Sequence, residues 1–321
     1  MAAPTSPSHS RRSPQSWGSS DQAAALRLVT AGQSRPGRRP ERIIAVASGK
    51  GGVGKSNIAL NLAIELSGRG RSTCLFDADL GMANAHILAG VNPRYTLGHV
   101  LTRVRTIDEI MTPGPRGVQL ISGSNGLSEM ANLTTEQRQR LLTALAGIQK
   151  ELDYLVVDTG AGISANVLSF LERSDEAIIV LTPEPPSMAD AYGMIKALTE
   201  RNYSGRLSLA VNRAASVGEA RLIAEKMQAL ARQYLRRDVE WIGFLLEDPA
   251  VQRAVRKRAP FSAVDRASKA ARSIARMAAR IEKEAELADR DEGVPDASAF
   301  QCDDAKTGVR RLRSWFERLF S

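Results

Sequence analysis

A glycine-rich loop early in the chain holds the residues best suited to binding a phosphorylated ligand. It reads Gly49-Lys50-Gly51-Gly52-Val53-Gly54-Lys55-Ser56 and matches the pattern G-x-x-x-x-G-K-[ST]. Glycines allow backbone N–H groups to converge on phosphate oxygens without clashes from Cβ atoms. Lys55 can reach the β- and γ-phosphates of a nucleotide, and Ser56 can ligate Mg²⁺. We therefore predict a nucleotide site over residues 49–57, which includes Asn57.

The loop lies between a strand-like and a helix-like segment, which is the context this motif requires. Short apolar runs then alternate with helical patterns as far as residue 288. Apolar runs with little polar alternation are typical of strands covered on both faces, and their alternation with helices favours a parallel sheet. We predict one α/β domain over 41–288, a three-layer P-loop NTPase fold whose twisted, mostly parallel sheet is covered by helices on both faces. The predicted strands are 43–47, 73–76, 118–121, 154–157, 177–181, 207–211 and 241–245, and the clearest predicted helices are 56–66, 136–150, 188–200, 219–235 and 268–287.

Acidic side chains follow two of these strands, at the edge where α/β sheets gather their ligands. Asp77 and Asp79 follow the second predicted strand, and Asp158 follows the fourth. Mg²⁺ prefers oxygen ligands and keeps several waters, which makes these acids candidates for a metal site. The alternative is that each Asp caps the helix or turn that follows it. Asn212 ends the sixth predicted strand, where Asn is also a common turn residue.

Lys50 is an additional lysine that a generic phosphate loop does not need. With Lys50 included, the loop resembles that of the deviant Walker A ATPases, the MinD and ParA family, which reads K-G-G-x-G-K-[ST]. The resemblance implies that the ligand is Mg-ATP and that Lys50 crosses a dimer interface to the partner's nucleotide. A cation supplied only on dimerisation makes ATP a switch for dimer formation.

The same resemblance implies roles for the remaining polar residues. Asp79 would orient or deprotonate the attacking water, so that Lys50, Lys55 and Asp79 are the predicted catalytic residues. Asp77 and Asp158 would support the Mg²⁺ shell together with Ser56. Asn212 would contact adenine. Residues 243–248 resemble the family's G-x-I-P-x-D segment near the adenine, but they lack its proline, so this contact is implied only weakly.

Three further segments resemble the FlhG (FleN) branch of the family, which regulates flagellar number and placement. Residues 77–84 read D-A-D-L-G-M-A-N, residues 158–164 read D-T-G-A-G-I-S, and residues 182–185 with 190–192 read T-P-E-P and D-A-Y. The resemblance implies a slow ATPase that forms a homodimer on ATP. The absence of a C-x-x-C motif argues against the iron–sulfur carriers among the relatives. Two alternatives stay open: a MinD- or ParA-type division-site or partitioning ATPase, and an ATP-binding adaptor or transcriptional co-regulator without turnover.

The N-terminal residues 1–40 are predicted to be a disordered basic tail with one short helix. Eight Ser, five Pro and three Gly in this stretch leave too little apolar surface to offset chain entropy. Residues 21–29 are richer in Ala and Leu and begin at a good N-cap residue. They resemble the D-Q-A-x-x-L-R element of FlhG, which implies that they activate the GTPase FlhF, although an incidental Ala-rich helix is the alternative. The implied contact residues are Asp21, Gln22, Leu26 and Arg27.

The C-terminal residues 308–321 follow a polar, acidic segment, 289–307, which we interpret as a linker. At helical spacing, large apolar side chains fall on one face and arginines on the other, as in helices that lie in a membrane interface. The alternative is a helix docked on the body or on a partner. The segment also resembles the terminal membrane-targeting helix of MinD and FlhG. The apolar face comprises Val309, Leu312, Trp315, Phe316, Leu319 and Phe320.

The formal net charge of +9 comes from the two tails, because residues 41–305 contain as many acidic as basic residues. Basic tails suggest anionic surfaces or acidic partners. Two cysteines are too few for a disulfide framework, and neither a secretory leader nor a spanning segment is expected. We predict a cytoplasmic protein that is peripheral at the inner face of the membrane. FlhF, flagellar switch (C-ring) proteins and a flagellar transcription regulator are the candidate partners, and no sequence-specific nucleic acid is expected.

Overall fold

The computed structural model describes residues 42–79, 84–102, 104–123 and 152–291. The predicted helix 136–150 and the terminal segments 21–29 and 308–321 lie outside the described residues. The described chain forms an eight-stranded sheet. Its strands are β1 (Arg42–Ser48), β2 (Thr73–Ala78), β3 (Thr112–Pro113), β4 (Gln119–Ser122), β5 (Tyr154–Ala161), β6 (Glu176–Leu181), β7 (Arg206–Ala214) and β8 (Glu240–Leu246).

The strands lie in the order β3-β4-β2-β5-β1-β6-β7-β8. Neighbouring strands pair in parallel, except β3 and β4, which are antiparallel. All seven predicted strands are present, and the predicted fold class is confirmed. The additional strand, β3, is two residues long and contains Pro113, so no apolar run marks it in the sequence.

Helices cover both faces of this sheet. They are α1 (Lys55–Gly68), α2 (Ala85–Ala89), α3 (Leu97–Leu101), α4 (Ile107–Ile110), α5 (Ala165–Glu172), α6 (Pro185–Glu200), α7 (Val217–Leu230), α8 (Pro249–Arg256), α9 (Phe261–Val264) and α10 (Lys269–Asp291). The predicted helices at 56–66, 188–200, 219–235 and 268–287 correspond to α1, α6, α7 with the π-helical turn that follows it, and α10. Helices α5 and α8 have eight residues each, which is too short for a clear helical period.

Two apolar layers sandwich the sheet because successive strand residues point to opposite faces. Ala45 and Ala47 of β1 pack in one layer with α5, α6 and α7. Ile44 and Val46 pack in the other layer with α1 and α10. This burial on both faces explains why the strands read as continuous apolar runs. A search of the described helices finds none with the length and apolar character needed to cross a membrane.

Candidate functional site

The glycine-rich loop connects β1 to α1, and two of its glycines border open space. A Cβ atom built on Gly51 or Gly52 would have no other atom within 4 Å. Gly54 has a φ of 92° and precedes α1 without any side-chain cap on the helix. An uncapped helix N-terminus presents free backbone N–H groups and the positive end of the helix dipole. This arrangement fits a phosphate group, which such helix ends bind readily.

Two loop glycines are required by close packing. A Cβ on Gly49 would lie 2.5 Å from the backbone of Asp190 in α6, and one on Gly54 would lie 2.3 Å from the Nδ2 atom of Asn212. Asn212 also donates from Nδ2 to the carbonyl of Val53 at 2.7 Å. The structure therefore places Asn212 against the loop, where its amide group holds the backbone in position.

The second loop lysine, Lys55, forms a buried ion pair at the base of the loop. Its Nζ atom lies 2.6 Å from Oδ1 of Asp158, and the two side chains are 7% and 1% exposed. It also lies 3.3 Å from the Ser56 hydroxyl. Burial raises the pKa of Asp158, whereas the charge of Lys55 and hydrogen bonds from Lys55 and Ser56 lower it.

Asp77 lies beside Asp158 because β2 and β5 pair in register at these two residues. Its carboxylate accepts hydrogen bonds from the backbone N–H groups of Asp79, at 3.2 Å, and Ala85, at 3.0 Å. Burial, followed by the neighbouring charge of Asp158, raises the pKa of Asp77 to about 7. Two adjacent buried carboxyl groups with one lysine form a set that a bound cation would stabilise.

Among the described residues, no group of three His, Cys, Asp or Glu side chains is arranged as a metal-binding cluster. Mg²⁺ does not require one, since it is commonly held by one or two carboxylates, waters and substrate phosphates. Ser56, Asp77 and Asp158 at the base of the loop are a donor set of this kind. The residues present therefore fit a hydrated Mg²⁺ ion.

The two remaining predicted catalytic residues lie at the rim of the site. Oδ1 of Asp79 is 3.7 Å from the position of a Cβ built on Gly160, at the end of β5. Lys50 is 43% exposed, and its Nζ atom lies 3.2 Å from Oε2 of Glu184, which is 59% exposed. Glu184 precedes α6 and is a residue that sequence reasoning cited only as part of T-P-E-P.

Sequence reasoning also missed the contacts that hold β5 to the loop strand. Thr159 donates from its hydroxyl to the carbonyl of Val46 at 3.1 Å. Gly162 donates from its backbone N–H to the carbonyl of Ser48 at 2.9 Å. These bonds fix Asp158 relative to the loop. Their only signal in the sequence is the D-T-G-A-G motif, which does not reveal what Thr159 contacts.

The segment 243–248, for which an adenine contact is weakly implied, makes contacts with other parts of the fold. A Cβ on Gly243 would lie 2.6 Å from Met277 of α10. Asp248 accepts hydrogen bonds from Ala250 at 2.9 Å and Ala270 at 3.1 Å, so one carboxylate caps both α8 and α10. Within this structure, the carboxylate of Asp248 therefore has a helix-capping role.

The chain is similar to known proteins over this whole region. The ParA family model described as "NUBPL iron-transfer P-loop NTPase" matches residues 39–282. The chain is 36% identical over 244 residues to "Antiactivator FleN" of Pseudomonas aeruginosa, which covers 76% of this chain and 87% of that protein. It is 35% identical over 218 residues to "Flagellum site-determining protein YlxH" of Helicobacter pylori, which covers 68% and 74%. The two cysteines, Cys74 and Cys302, form no C-x-x-C motif, and Cys74 is buried.

Solved structures support the same fold. The MinD chain of a "MinC:MinD cell division protein complex" from Aquifex aeolicus aligns with a TM-score of 0.62 at 24% identity, over 75% of this chain and 96% of that chain. MinD from Pyrococcus horikoshii, solved with Mg-ADP, aligns with a TM-score of 0.62 at 24% identity, over 77% and 98%. The family model extends over most of the chain and includes the phosphate loop, and the FleN relative aligns with 76% of the chain. The chain therefore belongs to the MinD/ParA family of P-loop ATPases, within its FlhG (FleN) branch.

Proposed function

We propose that this ATPase is an ATP-driven dimerisation switch that regulates flagellar number or placement. The names of its relatives, an antiactivator and a flagellum site-determining protein, support the flagellar part. The observation that carries the switch is the contrast between two lysines of one loop. Lys55 is buried and paired with Asp158, whereas Lys50 is exposed and paired with Glu184.

Lys55 serves the nucleotide of its own chain. Its ammonium group stands at the base of the loop and bonds Asp158 and Ser56. A triphosphate in the loop competes with Asp158 for this ammonium group, and the loop N–H groups bind the same phosphates. When bound, Mg²⁺ neutralises charge on the phosphoryl oxygens, and Ser56, Asp77 and Asp158 are the residues that would hold it.

Asp79 is the residue that positions the attacking water. Its backbone N–H donates to Asp77, and its carboxylate lies against Gly160 at the end of β5. The Asp79 side chain therefore lies close to the end of β5. A carboxylate here can accept a proton from water next to the phosphate loop.

Lys50 serves the nucleotide of a partner chain. Its pair with Glu184 is exposed on both sides, and exposed ion pairs contribute about 0–1 kcal/mol. Lys50 can therefore leave Glu184 at little cost when a second copy presents a triphosphate. A lysine that reaches the γ-phosphate only in the dimer links ATP, but not ADP, to dimerisation.

The test combines two measurements. The molecular mass of the protein in solution reports dimerisation, and calorimetry reports the affinity for nucleotide. We expect the wild type to be monomeric with Mg-ADP and dimeric with Mg-ATP, and Asp79→Ala to accumulate as the ATP-bound dimer. Lys50→Ala should bind Mg-ATP with wild-type affinity and stay monomeric. Dimerisation of Lys50→Ala at wild-type ATP concentrations would refute the switch.

Dimerisation is proposed to act through the two tails, at the inner face of the cell membrane. Two copies of residues 308–321 bind a membrane better than one, through avidity, and residues 21–29 stimulate the GTPase FlhF.

Deletion of residues 1–40 should abolish FlhF stimulation and leave ATP-driven dimerisation intact. Leu312→Glu with Phe316→Glu should abolish vesicle binding. ATP-driven dimerisation and membrane binding without any effect on FlhF would favour the alternative of a division-site ATPase, which the fold shared with MinD supports.

A turnover-independent adaptor role is tested by the same Asp79→Ala variant in cells. A cycling switch loses control of flagellar number or placement when hydrolysis stops. An adaptor that needs only bound ATP keeps it. Flagellar switch proteins or a flagellar transcription regulator would then be the partners to examine by pull-down with the ATP-bound form.

A further inference from the structure

A dense group of basic residues lies on the surface that runs from α8 to the start of α10. Residues 253–272 contain seven Arg or Lys and one acid, Asp265. All seven basic side chains are exposed, and together they are called the basic patch here. Since residues 41–305 as a whole have no net charge, the patch is a local separation of charge within the ATPase domain.

The fold holds the elements of the patch together. One carboxylate, that of Asp248, caps the N-termini of both α8 and α10. Helix α9 packs against both of these helices. The carbonyl of Arg258 lies 2.3 Å from the position of a Cβ on Gly90, so the segment between α8 and α9 is pressed against the end of α2. The elements that carry the patch are therefore held together by shared contacts.

Ion pairs within the described fold do not account for this charge. Across the described part of the chain, no ion pair or side-chain hydrogen bond is made by any of the seven basic residues. Arg253 and Arg256 stand in the last turn of α8, where they complement the helix dipole. Lys269 instead begins α10, whose first turn has no acidic residue, and a cation is unfavourable there. The charge points to an anionic partner.

Apolar side chains among these charges indicate the kind of partner. Val255 is 39% exposed and Val264 is 61% exposed, and both lie within the patch. Arginine and lysine beside exposed apolar groups are typical of surfaces that rest on an anionic bilayer, where headgroups meet the charges and acyl chains meet the apolar groups. A nucleic-acid backbone would meet the charges but give the two valines no apolar environment.

The chain can bring its C-terminal segment to the same membrane. Helix α10 has 23 residues, a length of about 35 Å. Residues 292–307 follow it, and sixteen residues can extend to at most about 53 Å. The segment 308–321 can therefore reach back beside the patch at the start of α10.

We propose that the basic patch is a docking surface for anionic lipid headgroups and acts together with the C-terminal segment. The proposal rests on the membrane association proposed above. It adds a contact made by the ATPase domain itself, which would fix the orientation of the domain on the membrane. Two weak contacts on one chain bind more tightly than either alone.

The test is vesicle sedimentation with the full chain, on phosphatidylcholine vesicles with and without one third phosphatidylglycerol. The patch variant is R253Q/R266Q/K269Q. The control is R221Q/K226Q/R236Q, which removes the same charge from exposed positions on and just after α7. Each basic residue near an anionic membrane contributes about 1 kcal/mol, or about fivefold in affinity. We expect the patch variant to lose ~100-fold in affinity for the anionic vesicles, and the control to lose far less. Wild-type nucleotide affinity in both variants verifies their folding.

Equal vesicle binding by the two triple variants would overturn the proposal. So would a patch variant that binds vesicles normally and loses binding to a short DNA duplex, because the patch would then serve nucleic acid. The L312E/F316E variant separates this inference from the proposed function. If it binds vesicles like the wild type, the role of residues 308–321 fails while the patch comparison stands. Residual binding that needs anionic lipid and disappears on adding the patch substitutions supports the patch.

Discussion

Buried carboxyl groups lie at both ends of the central sheet, the end where the parallel strands finish and the end where they begin. Their surroundings differ. Asp77 lies at the end of β2, on the side of the phosphate loop, and Glu176 begins β6 on the opposite side. Burial is the main cause that raises the pKa of each to about 7. Perturbed pKa values mark candidate functional groups, yet here the two carboxyl groups have similar values and different surroundings.

The end that carries the phosphate loop, called the ligand end, differs from the opposite end in the surroundings of its carboxyl group. Asp77 has a second buried carboxylate beside it, Asp158, together with a buried lysine and a loop whose glycines border open space. Glu176 accepts a hydrogen bond from the Ser208 hydroxyl at 2.6 Å, and Arg206 next to it is paired with Glu284 of α10. The ligand end therefore has buried charges that a bound ligand can neutralise. At the opposite end, called the closed end, the charges are neutralised by the protein's own residues.

The largest expected effect comes from breaking the buried pair at the ligand end. Lys55→Met should abolish nucleotide binding and leave Asp158 buried without its partner, which costs about 3–5 kcal/mol. Adding Asp158→Asn should restore most of the stability but not the binding. Urea unfolding at about pH 8 measures the first effect, where the unfolded chain ionises its carboxyl groups. An unchanged urea midpoint in Lys55→Met would show that the pair does not stabilise the apo protein.

The opposite end should respond in the opposite direction. The pKa of Glu176 is raised from 4.5 to about 7 in the fold, so the unfolded chain loses its proton at a lower pH than the folded chain. Stability therefore falls as pH rises from 4.5 to about 7, by on the order of 3 kcal/mol. Glu176→Gln should remove this loss, stabilise the protein at about pH 8 and have no effect near pH 4.

Thermal unfolding across pH measures this difference, with Glu225→Gln at an exposed site on α7 as the control. Equal stability of Glu176→Gln and the wild type at high pH would mean that Glu176 ionises freely in the fold. The two ends would then differ in the burial of their carboxyl groups as well as in their partners.

Sequence reasoning placed Asp77 and Asp158 at one edge of the sheet, where the structure has them, and did not find Glu176 at the opposite edge. The phosphate loop is local in sequence, and the ends of parallel strands meet at one edge, so Asp77 and Asp158 could be placed together before the fold was known. Glu176 depends on Ser208 and Arg206, which reach it only through strand pairing between β6 and β7. The contact of Glu184 with Lys50 likewise depends on tertiary packing. The net charge of residues 41–305 is zero and does not reveal the patch, because acids elsewhere in the domain balance its basic residues.

A smaller loss of stability is expected for substitutions of Asp248, an acid that caps helices, than for substitution of the buried Lys55. Asp248 caps two helices, and loss of a cap costs about 1 kcal/mol, so Asp248→Ala should lower stability by about 2 kcal/mol. Asp248→Asn keeps one acceptor and should lose about half as much. Neither variant should change the Kd for Mg-ATP, measured by calorimetry. A weaker Kd in both variants would return Asp248 to the nucleotide site, as the sequence weakly implies.

The smallest expected effect on stability belongs to the other loop lysine. Lys50→Ala breaks an ion pair that is exposed at both Lys50 and Glu184, and such substitutions change stability by about 0.5 kcal/mol or less. Glu184→Gln should behave in the same way, and the double variant should show no coupling in thermal unfolding without nucleotide. A destabilisation comparable to that of Lys55→Met would mean that the contact of Lys50 with Glu184 stabilises its own chain. Lys50 could then not leave Glu184 to bind a partner's nucleotide. A negligible change would mean that the fold does not depend on Lys50, which leaves this lysine available to a partner's nucleotide, as proposed above.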